Sequence, residues 1–144
     1  MNGRILAIDY GDRRIGLAIS DPLGITAQGL DTLVVGSRKE AMRQISETIA
    51  SWKATAVLLG MPLNMDGSRG EQAEKADALA EWLRSSFGLP VVLWDERLTS
   101  QAAARTMHQL GMKSRGRKQN VDRIAATMML QEYLHHVSLE AERE

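Results

Sequence analysis

The apolar positions in the first third of the chain come in short blocks separated by polar and turn-forming residues. Three such blocks, at residues 4–9, 15–19 and 27–35, are rich in Ile, Leu and Val, which is typical of β-strands. Between the first two stands the pair Gly11-Asp12, which favours a tight hairpin turn. We therefore expect the first two strands to be antiparallel neighbours.

The remainder of the chain alternates between helical and strand patterns. Residues 37–40 form a capping-box signature, and apolar positions three and four apart follow it, as they do again over 70–87. The predicted elements are, in order, a helix behind Ser37, a strand at 55–60, a helix over 70–87, a strand at 91–94, a helix from Thr99 or Ser100 to about residue 110, and a last helix that opens at 120–126.

This order predicts an α/β fold built on a mixed five-stranded sheet. The first three strands would be antiparallel, the later strands parallel, and helices would cover both faces. In such sheets ligands bind beyond the carboxyl ends of the strands. A chain of 144 residues suits a single domain, which we expect to span 1–138, followed by an acidic tail at 139–144.

Composition narrows the classes of function. The absence of cysteine excludes disulfides and thiolate metal sites. No apolar run approaches the roughly 20 residues that span a bilayer, and the N-terminus lacks the order of a signal peptide, so we expect a cytoplasmic protein with no membrane partner. Because 18 basic residues balance 18 acidic ones, nucleic-acid binding would have to come from a local patch.

Three carboxylates stand where regular elements begin or end. Asp9 closes the first strand, Glu96 follows the fifth, and Asp122 lies in the first turn of the last predicted helix. If the fold brings them together, they form an all-oxygen site that suits Mg²⁺ or Mn²⁺. The pattern therefore indicates metal-dependent hydrolysis of phosphodiester bonds.

Each acid also has a plainer explanation. Asp9 fits a simple turn acid, and the glycines after it would also suit a loop whose N–H groups cradle a phosphate. An acid in the first turn of a helix, such as Asp122, interacts favourably with the helix dipole without any further role. Side chains alternate along a strand, so only one of Asp95 and Glu96 would point into the site, and we favour Glu96.

A basic segment at residues 112–120 carries four positive charges and no acid. It fits a solvated connection, and we favour an arm that binds the phosphate backbone with little regard to sequence, since the aromatic residues that stack bases are missing from it. The loop after the fourth strand offers Asn64 as a ligand for phosphate or water, or is only a surface loop, while its methionines are typical of filling residues. The candidate nucleic-acid-binding residues are Arg14, Asn64, Arg97, Lys113, Arg115, Arg117 and Lys118.

Four motifs, in this order, resemble the YqgF (RuvX) family: Ile8-Asp9-Tyr10-Gly11 with Arg14-Ile15-Gly16, residues 60–67, residues 95–99, and Val121-Asp122 with Ala125-Ala126. The resemblance extends from Arg4 to about Tyr133. It implies a ribonuclease H-like fold, with Asp9, Glu96 and Asp122 as metal-binding catalytic acids. It also implies a Holliday-junction-resolvase-like nuclease with a link to maturation of the 5′ end of pre-16S ribosomal RNA.

We therefore expect a nuclease that acts on structured RNA with one or two metal ions. With two, Asp9 would bridge the metals while Glu96 and Asp122 each hold one. The first alternative is a resolvase of four-way DNA junctions, which would require a dimer with two sites. A second is a non-catalytic RNA-binding module for ribosome assembly, in which the acids are structural. The turn after Asp9 also resembles the phosphate loop of sugar kinases, which need two such domains. The sequence leaves monomer and homodimer open.

Overall fold

The computed structural model of the protein describes residues 3–96 and 114–143. Its elements, in chain order, are β1 (Arg4–Tyr10), β2 (Arg14–Ser20), β3 (Ala27–Val34), α1 (Arg38–Trp52), β4 (Ala54–Met61), α2 (Glu71–Phe87), β5 (Val91–Asp95) and α3 (Ser114–Arg143). The helix predicted from Thr99 or Ser100 to about residue 110 lies outside the described residues. No helix in the described ranges is long and apolar enough to cross a membrane.

The five strands form one mixed sheet in the order β3-β2-β1-β4-β5. The pairs β1–β2 and β2–β3 are antiparallel, while β1–β4 and β4–β5 are parallel. The predicted sheet, with its antiparallel first part and parallel later strands, is confirmed. Because β1, β4 and β5 run in the same direction, their carboxyl ends meet at one edge of the sheet, where ligands of such folds bind.

The two faces of the sheet carry side chains of different size. Large aliphatic residues of the strands face α1 and α2, and among those fully buried there are Leu6, Ile8, Leu17 and Leu59. They pack with buried residues of the two helices, such as Ile45 of α1 and Leu79 of α2. The opposite face is covered by α3 and consists mainly of small residues, among them Ala7, Ala18 and Ala56. Helix α3 can therefore pack close to the strands, with Met129, Leu130 and Tyr133 at the contact.

The last helix begins earlier than the sequence indicated. We expected it to open at about Asn120, after a basic loop, but α3 starts at Ser114 and includes that segment. Asn120 and Asp122 mimic a helix start, whereas the Arg, Lys and Gln residues before them are good helix formers that extend the helix upstream. The helix continues through residues 139–143, which we had expected as an acidic tail.

Candidate active site

Asp9 lies at the carboxyl end of β1, at the centre of the sheet. Side chains alternate along a strand, so Asp9 shares the face of Ile5 and Ala7, which is the face covered by α3. Its partner on β2 is Gly16. The β1–β4 register, continued by one position beyond Ile8 and Leu59, brings Gly60 to its other side. The carboxylate of Asp9 is therefore flanked by two positions that carry no side chain.

Glu96 reaches Asp9 across one of these glycines. It follows β5 directly, and its backbone N–H donates a hydrogen bond to the carbonyl of Met61 at the end of β4 (3.2 Å). Its side chain lies over Gly60, where a Cβ would come within 2.6 Å of Cδ and 2.7 Å of Cγ of Glu96. Glycine at position 60 therefore opens the space that the Glu96 carboxyl group occupies.

Asp122 approaches from α3 across the other glycine. A Cβ at Gly16 would lie 2.8 Å from the backbone carbon of Asp122 and 3.3 Å from its Cβ. Because α3 begins at Ser114, Asp122 stands eight residues into the helix rather than in its first turn. The prediction of a first-turn position was therefore wrong, and the helix dipole does not account for this acid, since its effect is confined to the terminal turn.

The residue after Asp122 anchors α3 to the edge of the sheet. Arg123 donates from Nε to the carbonyl of Leu30 (3.1 Å) and pairs with the carboxylate of Asp31 (3.1 Å). Its stem crosses Gly29, where a Cβ would lie 2.9 Å from Cγ of Arg123. This contact fixes the height and rotation of the helix beside Asp122.

The surroundings of Glu96 and Asp122 raise the pKa values of these two acids. Burial, followed by the hydrogen bond with Asp9 and by the charges of the neighbouring acids, raises the pKa of Glu96 to about 10. Burial also raises the pKa of Asp122, the charge of Asp9 raises it further, and the guanidinium of Arg14 opposes both effects. This raised pKa favours the protonated form of Glu96, which can donate its proton to the carboxylate of Asp9.

The side chains of the three acids are not arranged as metal ligands in this structure. Within residues 3–96 and 114–143, no group of three or more His, Asp or Glu side chains is arranged to hold a metal ion as it stands. The side chains of Glu96 and Asp9 form a hydrogen-bonded pair, and the carboxylate of Asp122 lies close enough to raise the pKa of Glu96. The donor set consists only of oxygen, which is the chemistry that Mg²⁺ and Mn²⁺ prefer.

The other candidate residues divide into three groups. Arg14 lies on the α3 face beside Asp122, to judge from its effect on the pKa of that acid. Asn64 lies beyond β4, at the same edge of the sheet, and its side-chain amide donates to Oγ of Ser68 within its own loop (2.9 Å). Arg97 and Lys113 lie outside the described residues, and the side chains of Arg115, Arg117 and Lys118 do so too, although their backbone belongs to α3.

The structure distinguishes between Asp95 and Glu96 as the second acid, and it bears on the alternative of a phosphate-binding loop after Asp9. Glu96 joins Asp9, whereas Asp95 is exposed at the end of β5, so the choice between them agrees with strand alternation. The phosphate-cradling loop was wrong as far as Gly11 is concerned, because its N–H donates to the carbonyl of Arg14 and closes the hairpin (3.0 Å).

Sequence reasoning missed the residues that bring the acids together. Gly16, Gly29 and Gly60 were treated as parts of motifs or strands, and Arg123 was not singled out at all. A glycine inside a strand pattern is the signal that was available, since it often marks a close approach of another backbone or side chain. Here all three glycines stand on the face that meets α3 and Glu96.

A cleft of about 480 Å³ opens on the opposite face of the sheet, between α1 and α2. Tyr10, Arg38 and Glu74 line it, and it also contains Asp12, which accepts hydrogen bonds from Lys75 (2.7 Å) and Gln72 (3.0 Å). None of the three grouped acids lines this cleft. Its chemistry is therefore separate from that of Asp9.

Comparison with known proteins agrees with this arrangement. A family model described as "RuvX: Holliday junction resolvase" matches residues 3–136. The chain belongs to the RuvX family. Two RuvX relatives are each named "Putative pre-16S rRNA nuclease". The one from Koribacter versatilis is 42% identical over 99% of this chain and 93% of its own length, and the one from Listeria innocua is 44% identical over 91% and 96%.

The fold of this RuvX chain is also similar to that of a solved resolvase. The fowlpox virus resolvase, crystallised with a Holliday junction, superposes with a TM-score of 0.58 over 93% of this chain and 98% of that one, at 12% identity. At this identity the likeness shows the fold alone. The ribonuclease H-like fold expected from the sequence is thereby confirmed.

Proposed function

We propose that this protein is a metal-dependent nuclease that hydrolyses phosphodiester bonds of RNA, and that its substrate is the precursor of 16S ribosomal RNA at its 5′ end. The observation that carries the proposal is the meeting of Asp9, Glu96 and Asp122, from three separate elements, across the glycines at 16 and 60. Half-buried acids that crowd together with raised pKa values cost stability, and such groups cluster at functional sites.

The choice of RNA over DNA is supported by the relatives. Both are named for pre-16S rRNA, and they match this chain over nearly its whole length. The backbone of Arg115, Arg117 and Lys118 lies in α3 within about two turns of Asp122, and these residues would bind the RNA backbone. Processing of ribosomal RNA precursor would take place in the cytoplasm, in agreement with the expectation from the sequence.

The acids fit a divalent cation in their chemistry. The ion would be held by Asp9, Glu96 and Asp122. Asp9 would be the central one of the three, because it lies between the two glycines over which the other acids approach. When bound, such an ion lowers the pKa of an attacking water and stabilises the charge on the leaving oxygen. Loss of the proton that Glu96 shares with Asp9 would accompany binding, since carboxylates ligate in their ionised form.

The remaining residues would position the substrate. Arg14 lies beside Asp122 and would bind a phosphate oxygen next to the scissile bond, where its charge also opposes the upward shift of the pKa of that acid. Asn64 would contact the RNA through the loop that follows β4. Arg97 and the basic residues of 113–118 would extend the contact along the backbone, largely without regard to sequence.

The experiment that tests this proposal is cleavage of end-labelled pre-16S rRNA leader by the wild-type chain and by Asp9→Asn, with Mn²⁺ or with EDTA. We expect cuts that need the metal and disappear in the variant. Asp12→Asn is the matched control, because Asp12 is an acid of the adjacent turn that is engaged with Lys75 on the other side of the sheet. Equal cleavage by wild type and Asp9→Asn would contradict the proposal.

A second candidate is the resolution of four-way DNA junctions, which is favoured by the description of the family model. It would require two copies of the chain, each with its own set of acids. A synthetic junction in the same assay distinguishes it, because metal-dependent cuts in the junction alone would replace the RNA substrate with DNA. RNA binding in EDTA without cleavage of either substrate would leave the non-catalytic RNA-binding module.

A further inference from the structure

The loop that joins β4 to α2 is closed by its own hydrogen bonds. The N–H of Asn64 donates to the carbonyl of Ser68 (2.9 Å), and the N–H of Gly67 donates to the carbonyl of Asn64 (2.8 Å). Oδ1 of Asp66 accepts from the N–H and from Oγ of Ser68, at 2.9 and 2.6 Å. These bonds close the loop on itself.

The base of this loop is joined to the candidate active site. The carbonyl of Met61 accepts two hydrogen bonds, one from the N–H of Leu63 in the loop (3.0 Å) and one from the N–H of Glu96 (3.2 Å). On the other side, Arg69 forms an ion pair with Asp77 of α2. The loop is therefore tied to a helix and to the backbone of one of the three acids.

Met65 stands at the tip of this loop with 77% of its surface exposed. Other methionines of the chain, such as Met61 and Met129, are buried, at 5% and 1%. Four residues of chain reach at most about 14 Å, so Met65 lies within that distance of Met61 and its bond to Glu96. Unlike Leu23, another exposed apolar residue of a turn, Met65 therefore lies at the edge of the sheet where the three acids meet.

We propose that Met65 packs against a nucleobase of the RNA next to the scissile phosphate. This inference rests on the proposed function and adds to it a contact with a base. A methionine thioether is flexible and polarisable, which suits the flat face of a base, and apolar side chains of this kind insert beside bases in other complexes. The described aromatic rings lie elsewhere: Trp82 packs edge-on against Phe87, Trp94 packs against Tyr133, Trp52 lies under the guanidinium of Arg4, and Tyr10 lines the cleft between α1 and α2.

The first test measures binding of the RNA leader in EDTA by wild type and Met65→Gln, which keeps the length of the side chain. We expect binding to weaken about fivefold to tenfold, as for the loss of one stacked base. The dependence of affinity on salt should not change, because no phosphate contact is lost. Leu23→Gln is the matched control, since Leu23 is 74% exposed in the turn between β2 and β3, at the opposite end of the sheet.

The second test scans the RNA with single abasic nucleotides. At the base that contacts Met65, removal of the base should weaken binding by wild type and cause no additional loss in Met65→Gln. Met65→Trp should bind more tightly to the intact RNA and lose this advantage on the same abasic substrate. Wild-type affinity in Met65→Gln, or equal abasic losses in both proteins at every position, would overturn the inference while leaving the nuclease intact. A wild-type chain that neither binds nor cleaves RNA overturns both.

Discussion

The side chain of Glu96 occupies the space on the surface of the sheet that a side chain at Gly60 would fill. A Cβ at position 60 would lie 2.6 Å from Cδ of Glu96, closer than unbonded carbon atoms approach, so a side chain at 60 and the observed position of Glu96 exclude each other. The absence of a side chain is what lets the carboxyl group of Glu96 lie back over β4 and hydrogen-bond to Asp9. Gly60 is therefore part of the site although it has no chemistry of its own.

Replacing this glycine should separate activity from stability. In Gly60→Ala the Glu96 side chain must turn away, and a displacement of about 1 Å in a catalytic group can reduce the rate about 100-fold. Because the side chain can rotate, we expect little change in the melting temperature. Cleavage rate, Mn²⁺ affinity by calorimetry and thermal unfolding are the measurements. Gly36→Ala is the control, since the nearest atom there is Oε2 of Glu40 at 3.6 Å. Full activity in Gly60→Ala would mean that catalysis does not need Glu96 in this position.

Gly16→Ala should behave differently, because its new methyl group meets the backbone of α3 rather than a flexible side chain. The backbone carbon of Asp122 lies 2.8 Å from the Cβ position, so the helix itself must shift. We expect a loss of about 1–3 kcal/mol in the free energy of unfolding, as for other overpacked contacts. Urea unfolding in EDTA measures it. An unchanged unfolding free energy would contradict the close packing of α3 on β2.

Sequence patterns predicted the elements well where the local signals agree with the fold. Ser37 caps α1 by accepting a hydrogen bond from the N–H of Glu40 (3.1 Å), as the capping-box signature implied, and Glu40 accepts from the N–H of Gly36, the residue before the cap (3.1 Å). Gly88 ends α2 in the left-handed conformation, with a φ of 65°. The hairpin and the strand directions follow from the short connections between consecutive elements, and the parallel strand directions bring the carboxyl ends of β1, β4 and β5 together.

The sequence could not predict the arrangement of the site to the same extent. That Gly16 and Gly60 would stand on either side of Asp9 depends on the register of three strands, and register is set by the packed sheet as a whole. The start of α3 was missed because helix propensity extends through the basic segment past an apparent cap at Asn120. The anchor at Arg123 joins residues more than ninety positions apart, so no local pattern indicates it.

Arg123 should position Asp122 through its contact with β3. The ion pair with Asp31 is exposed and contributes little, whereas the hydrogen bond from Nε to the carbonyl of Leu30 ties the helix to the strand. In Arg123→Met, which keeps the stem over Gly29, we expect a loss of about 1 kcal/mol in stability and a lower cleavage rate with unchanged RNA binding in EDTA.

Arg43→Met is a matched control for this change, because Arg43 forms an exposed ion pair with Glu47 on α1. This helix covers the face of the sheet opposite the acids. It should alter neither stability nor cleavage. If Arg123→Met instead weakened RNA binding and lowered its dependence on salt, Arg123 would be a phosphate ligand and not a positioning residue.

The raised pKa of Glu96 gives the metal-free protein a characteristic response to pH. In the unfolded chain a glutamate has a pKa of about 4.3, whereas burial and the neighbouring acids raise the pKa of Glu96 to about 10 in the folded state. Between these two pKa values the folded state holds the additional proton. The free energy of unfolding must therefore fall as pH rises, by at most about 1.4 kcal/mol per pH unit for this one group.

Other groups titrate as well, which makes Glu96→Gln the necessary comparison: the amide can still donate to Asp9 but cannot ionise. Urea unfolding in EDTA between about pH 5 and pH 8 should show Glu96→Gln gaining stability relative to wild type as the pH rises. A difference between the two proteins that stays constant over this range would mean that Glu96 is already ionised in the folded protein, and that the acids are held apart rather than sharing a proton.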